Sequence, residues 1–186
     1  MEKEGNLLVT FDPSHEESAL KEISSLLNEI QETVEIIKAE DGIAEVLVKD
    51  AKKAVSELSK ICKDNLDKFN YTSHWVPIEK WCDAEIDEIK KIVKELGERI
   101  KDDERWKMDL KVRKVKEKPD EIKLIVKLTE AVDKPKVDLK NPEKIIKVEI
   151  IGNRAGLSLL DIDELLNVAK LKHCLLYTSP SPRDSA

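Results

Sequence analysis

This sequence predicts an α+β fold in two units, and three observations carry the prediction. The chain has 186 residues and 40% hydrophobic content, enough for one ordinary domain or two small ones with buried cores. Its first eighty or so residues read as strand, helix, two strands, helix and strand in that order. A fresh helix then begins near Asp83 and opens a second series of elements.

Asn6–Phe11, NLLVTF, is a short apolar strand, and Ser14 followed three residues later by Glu17 predicts a capping box at the start of a helix. Leu20, Ile23, Leu27 and Ile30 recur at spacings of three and four, which puts one apolar stripe on that helix. Val34–Lys38 and Ile43–Val48 are β-branched runs joined through Asp41-Gly42, where glycine supplies the positive φ of a tight hairpin. Asp50 is the expected cap of the next helix, with Val55, Leu58 and Cys62 along one side. Phe69–Pro77 alternates polar and bulky residues and closes the series as a strand. The order β-α-β-β-α-β is the ferredoxin-like arrangement.

In the second unit Asp83 is the expected cap of a helix whose stripe is Ile86, Ile89, Val93, Leu96 and Ile100. Trp106, Met108, Leu110 and Val112 alternate with Lys107, Asp109, Lys111 and Arg113, the period-two pattern of a strand with one apolar and one largely basic face. Pro119 and Asp120 open a helix through about Val132, although its β-branched residues also suit a strand. Ile145–Ile151 is a nearly continuous apolar run, expected to be a strand buried on both faces, and Gly156–Leu160 is its expected neighbour. Gly152-Asn153-Arg154-Ala155-Gly156 connects them, and Asp161 or Asp163 is expected to cap a short last helix with Leu165, Leu166 and Val168.

The net charge of −6 excludes a histone-like polycation, so any nucleic-acid site must be local. The charge is unevenly spread. Residues 1–104 hold 15 basic and 26 acidic side chains, whereas 105–154 hold 15 basic and 9 acidic. A polyanion would be steered to the second segment, above all to the run 105–118. The competing reading of that run is a solvated strand face whose lysines discourage edge pairing.

No window is apolar over the roughly 18–20 residues of a membrane span, and the first residues lack the pattern of a signal peptide, so a cytoplasmic protein without membrane association is expected. Cys62, Cys82 and Cys174 are odd in number and unevenly spaced, which leaves no disulfide framework and no CxxC motif. The stretch CLLYTSPSPRD at Cys174–Asp184 departs from the Lys/Glu-rich body and resembles the translation of a sequencing adapter; residues 174–186 are therefore expected to be a non-native tail, the alternative being a native tail with two Ser-Pro sites.

Motifs that force reactive groups together are absent: there is no phosphate loop, no dinucleotide turn, no nucleophile elbow and no zinc signature. His74 near Cys82 is the one conceivable Cys-His pair, and ordinary packing explains it better. No catalytic residue, metal or cofactor is expected.

Specific stretches resemble the THUMP-domain proteins, in particular the adaptors for tRNA cytidine acetylation. These are NLLVTF followed by a helix, YTSHWVPIEKW at Tyr71–Trp81, RWKMDLKVRK at Arg105–Lys114, and KVDLKNPEKIIKVEIIGNRAGLSLL at Lys136–Leu160. The resemblance implies an N-terminal ferredoxin-like domain over residues 1–82 packed on an α/β THUMP domain over 83–173. It further implies a non-enzymatic tRNA-binding adaptor that presents its tRNA to a separate RNA cytidine acetyltransferase for 4-acetylcytidine formation. Arg105, Lys107, Lys111, Arg113 and Lys114 match the basic first THUMP strand and Arg154 lies in the glycine-containing turn, so these six are the implied RNA contacts. Gly152 and Gly156 are expected to let the turn fold closely against RNA or a neighbouring strand, the alternative being a purely conformational role. A second reading is the N-terminal tRNA-binding part of a longer THUMP-containing enzyme, a methyltransferase or a 4-thiouridine synthetase. A third is a ferredoxin-like protein-interaction module without RNA affinity.

Overall fold

Five consecutive residues with buried side chains, Leu7–Phe11, form β1, the strand at the centre of the first unit. The structure, a computed structural model, describes residues 3–178. Residues 78–162 form the second unit and the other described residues the first.

After β1 come α1 (Glu16–Glu29), β2 (Glu35–Glu40), β3 (Ile43–Leu47), α2 (Ala51–Asp64) and β4 (Thr72–Pro77). β1 pairs antiparallel with β3 on one side and β4 on the other, and β2 pairs with the outer edge of β3. The expected ferredoxin-like order is therefore present. Leu7, Val9 and Phe11 point to the helix side, where Ile23, Leu27, Val55, Leu58 and Trp75 complete the core. Trp75 is buried with its indole N–H satisfied by Thr72 Oγ1 at 3.0 Å, so its ring area is buried without an orphaned donor.

Two local devices fix this unit. Asp41 and Gly42 both take positive φ, +52° and +82°, the pair of left-handed residues that a two-residue hairpin turn needs. The Glu22 carboxylate on α1 accepts the backbone N–H groups of Asn70, Tyr71 and Thr72 at 2.6, 3.1 and 2.8 Å, pinning the entry to β4. At Gly42 a Cβ would lie 2.6 Å from the Phe11 carbonyl oxygen. Replacing Gly42 by alanine combines that backbone clash with left-handed strain, and urea denaturation is expected to show a loss of about 2 kcal/mol. An unchanged midpoint would mean that the turn relaxes freely.

The capping box does not form. Asp12 sits nearer, and its carboxylate takes the Ser14 N–H at 2.9 Å and the Ser14 hydroxyl at 2.8 Å, capping a 3-10 turn at Pro13–His15. Ser14 is thereby held inside that turn, His15 takes the N-cap position without a side-chain cap bond, and α1 starts at Glu16. The same bonds, the backbone one foremost, hold the Asp12 carboxyl below its ordinary value. Asp50 does cap α2, accepting the Lys53 N–H at 3.1 Å.

The second unit contains β5 (Lys80–Asp83), α3 (Ile86–Glu98), β6 (Trp106–Arg113), α4 (Glu121–Thr129), β7 (Lys144–Ile151) and β8 (Arg154–Asp161). The sheet order is β5-β8-β7-β6, with β6 and β7 parallel and the other pairs antiparallel. Asp83 ends a strand here and does not cap α3, whose N-cap is Glu85. Four residues of β5 are too few to show a period, and their partner strand is over seventy positions away. Asp120 caps α4 by accepting the Ile122 and Lys123 N–H groups, which decides for a helix over the β-branched alternative.

The chain then returns to the first unit. β9 (Leu166–Asn167) adds a fifth strand beside β4, and α5 (Val168–Thr178) follows. Leu166 is therefore a strand residue and not part of the expected last helix; neither Asp161 nor Asp163 caps that helix, and the Asn167 side chain accepts the Lys170 N–H at 3.0 Å. Ser56 and Ser59 on α2 bond Asp163, and Lys172 donates to the Phe69 carbonyl, so this segment is tied to the first unit's helices. The chain thus leaves the first unit at 77/78, where the sequence places the domain boundary at 82/83, and returns to it at 162/163, inside the stretch 83–173 that the resemblance gives to the second domain. α5 continues to Thr178 within the tail expected from 174 onward; the rest of that tail, 179–186, lies outside the described residues.

Candidate functional site

Side chains paired across neighbouring strands share a sheet face, so the register of the second unit sorts its charged residues. Met108, Leu110, Val112, Ile146, Val148, Ile150, Ala155, Leu157 and Leu159 face α3 and α4 and form the core. The opposite face carries Lys107, Asp109, Lys111 and Arg113 of β6, Lys147 and Glu149 of β7, Ser158, Gly156 and Arg154 of β8, and Trp81 of β5.

Part of this face is an internal charge network. Lys147, with its side chain only 5% exposed, lies 3.1 Å from Asp109 and 3.2 Å from Glu149, and Arg113 Nε lies 3.3 Å from the other Glu149 oxygen. Burial pushes the Asp109 carboxyl up, but attraction and hydrogen bonding from Lys147, helped by Lys107 and Lys111, bring it below its ordinary value. Arg113 is thus a partner of a buried carboxylate as well as a surface cation.

Lys107 and Lys111 stand on the same face and form no salt bridge among the described residues. Lys111 and Lys114 are exposed, and the loop from β6 to α4 adds exposed Lys116 and Lys118. The register places Arg113, Ile151 and Arg154 side by side, and the Gly152 N–H donates to the Arg113 carbonyl at 2.9 Å. Arg113, Lys114, Gly152 and Arg154 therefore converge at one end of the sheet.

Arg105 does not join them. It precedes β6, about 26 Å from Arg113 along an extended strand. Its guanidinium is occupied by Asp138 at 3.8 Å, Glu143 at 3.3 Å and the Asn141 carbonyl at 2.8 Å. It clamps the loop whose Asp138 carboxylate also accepts the Lys140 and Asn141 N–H groups, bonds that hold that carboxyl below its ordinary value.

The two glycines have different roles. Gly152 has φ +61° at the first position of the two-residue loop Gly152-Asn153, so Arg154 begins β8 and is not a turn residue. Gly156 makes room for neighbouring side chains: a Cβ there would meet Ile78 at 2.9 Å and the Trp81 ring at 3.1 Å. The Arg154 guanidinium lies 4.0 Å from the Trp81 ring centroid, a cation-π contact that orients it. Trp81, Asp109, Lys147 and Glu149 are the site residues that the sequence reading did not single out. The available signal was Lys147 and Glu149 two residues apart inside an apolar run, which puts both charges on one strand face.

Cys62 and Cys82 do not resemble nucleophiles. Burial pushes Cys62 up to about 11 and also raises Cys82, the opposite of the depressed value an attacking thiolate needs. His74 Nδ1 lies 3.1 Å from Thr10 Oγ1 on β1. Among the described residues no group of three or more His, Cys, Asp or Glu side chains is arranged to hold a metal ion, and no helix is long and apolar enough to cross a membrane.

Residues 83–160 match the family model of the THUMP domain. The second unit carries a THUMP domain. The match runs from the last residue of β5 to the penultimate residue of β8 and so spans both helices and the charged sheet face. Among solved structures, the chain is similar to PH1313 from Pyrococcus horikoshii Ot3, with a TM-score of 0.60 and 18% identity, covering 83% of this chain and 54% of that one. It is similar to TrmN from Thermus thermophilus at a TM-score of 0.52 and 17% identity, covering 82% and 44%. A possible methylase from Clostridium difficile 630 gives 0.54 and 13%, covering 84% and 41%. The chain therefore spans about half the length of these proteins, with which it shares a fold. No curated protein matches it.

Proposed function

We propose that this chain binds tRNA through its THUMP domain and serves as a non-enzymatic adaptor, presenting the tRNA to a separate RNA cytidine acetyltransferase for 4-acetylcytidine formation. The observation that carries the RNA reading is lysine charge left over after internal pairing. Lys147 and Arg105 are consumed by carboxylates, whereas Lys107, Lys111, Lys116 and Lys118 form no salt bridge among the described residues. Ammonium groups on a strand and its following loop suit successive backbone phosphates, which give grip and orientation without reading sequence. Held this way, a stem is recognised by shape, and the target base meets the enzyme at raised local concentration.

A second reading is supported by the coverage of 54%, 44% and 41% of the similar structures: the chain as the tRNA-binding front part of a longer THUMP-containing modifying enzyme. Reconstitution separates the two. The purified chain is expected to stimulate acetylation of tRNA by its cognate acetyltransferase and to transfer no acetyl group alone. Absence of stimulation, with tRNA binding intact, would favour the second reading; unaided transfer would end the adaptor reading outright.

A further inference from the structure

Ile122 and Val126 stand one turn apart on α4 with 75% and 58% of their surface exposed. The fold does not require them, because Leu124, Ile125 and Leu128 supply the inner face of the helix. Both are β-branched, which lowers helix propensity, and both leave aliphatic surface in water. Lys123 and Lys127 follow them at the same four-residue spacing and are also exposed, so an apolar column runs beside a basic one.

The charge of this surface is not spent internally. Lys123 and Lys127, like Lys116 and Lys118 in the preceding loop, form no salt bridge among the described residues. Of the nearby carboxylates, Asp120 caps the helix, Glu130 holds Lys90 at 3.3 Å and Glu121 is half-buried, which leaves Glu117 exposed.

We propose that this face of α4 docks an acidic amphipathic helix of a partner protein. Aliphatic side chains of that helix would seat on Ile122 and Val126 while its carboxylates meet Lys123 and Lys127. Phosphate binding explains the lysines but gives the exposed aliphatics no role, and a merely solvated helix face has no use for them either. A partner of mixed acidic and aliphatic character uses both columns, and the four-residue spacing is that of helix-on-helix anchors. This inference does not rest on the adaptor reading.

The test uses the full chain and a fluorescein-labelled synthetic helix with leucines one turn apart and glutamates elsewhere. The expected result is saturable binding with amide shifts confined to α4. Replacing the probe's leucines by serine, or its glutamates by lysine, is expected to weaken binding by about tenfold or more. Ile122→Ser with Val126→Ser should do the same without unfolding the chain, since both residues are exposed, while Leu139→Ser, at another exposed apolar position, should leave binding unchanged. No binding, equal binding of the serine helix, or shifts away from α4 would overturn the proposal. So would loss through Leu139→Ser, or tRNA in place of the helix shifting the α4 amides, which would give the surface to RNA.

Discussion

Replacing Lys147 by methionine is expected to destabilise the second unit by about 3–5 kcal/mol, the usual effect of removing one member of a buried ion pair. Methionine fills a similar volume, so the loss is electrostatic. Asp109 and Glu149 lose their shared partner, and among the described residues Arg113 alone remains in a salt bridge with Glu149. Adding Glu149→Gln to Lys147→Met should recover part of the loss, because the stranded charge goes with it. Urea denaturation of the single and double variants measures both effects; a single variant within about 1 kcal/mol of the parent would show that water reaches the network.

The same network sets an acid sensitivity whose sign follows from Asp109. Its carboxyl lies below its ordinary value of 3.8 in the folded protein, so its contribution to stability is complete above 3.8 and is lost as pH falls through the lower folded value. Without Lys147 the main downward influences vanish and burial pushes the carboxyl up. Acid unfolding of the Lys147→Met variant is therefore expected to begin at higher pH than in the parent, as followed by circular dichroism. An unshifted acid transition would mean that Asp109 is governed by other groups.

How much of this was legible in the sequence depends on where each signal lies along the chain. The strand-helix order of the first unit, the Asp41-Gly42 turn and the Asp50 and Asp120 caps were readable because each is fixed by residues within a few positions. β5 and β9 were not, because two- and four-residue strands have no measurable period and exist only through partners far along the chain. The basic strand was visible as alternation in Trp106–Arg113, but its division of labour was not. Nothing local reveals that Arg105 meets Asp138 and Glu143, or that Arg113 meets Glu149. Likewise Gly156 read as a turn residue because its neighbours over the strand, Ile78 and Trp81, are distant in sequence.

That division of labour determines which charge reversals test RNA binding cleanly. Arg113→Glu would set a new carboxylate against buried Glu149 and confound affinity with folding. Lys111, Lys114 and Lys116 are exposed, so reversing these three to glutamate should leave unfolding cooperative, with a loss of about 1 kcal/mol because Lys111 also helps hold the Asp109 carboxylate. Titration with full-length tRNA is expected to show affinity reduced by about a hundredfold or more at low salt, since three attractive contacts become repulsive. The dependence of log affinity on log salt should also become shallower by about two to three, as each phosphate contact contributes slightly less than one to that slope. Reversing Lys52, Lys60 and Lys63 on α2 is the control, and it should leave affinity and salt slope unaltered. A triple variant that keeps its affinity and its slope would place the phosphates elsewhere, and equal losses in both variants would reduce the effect to net charge alone.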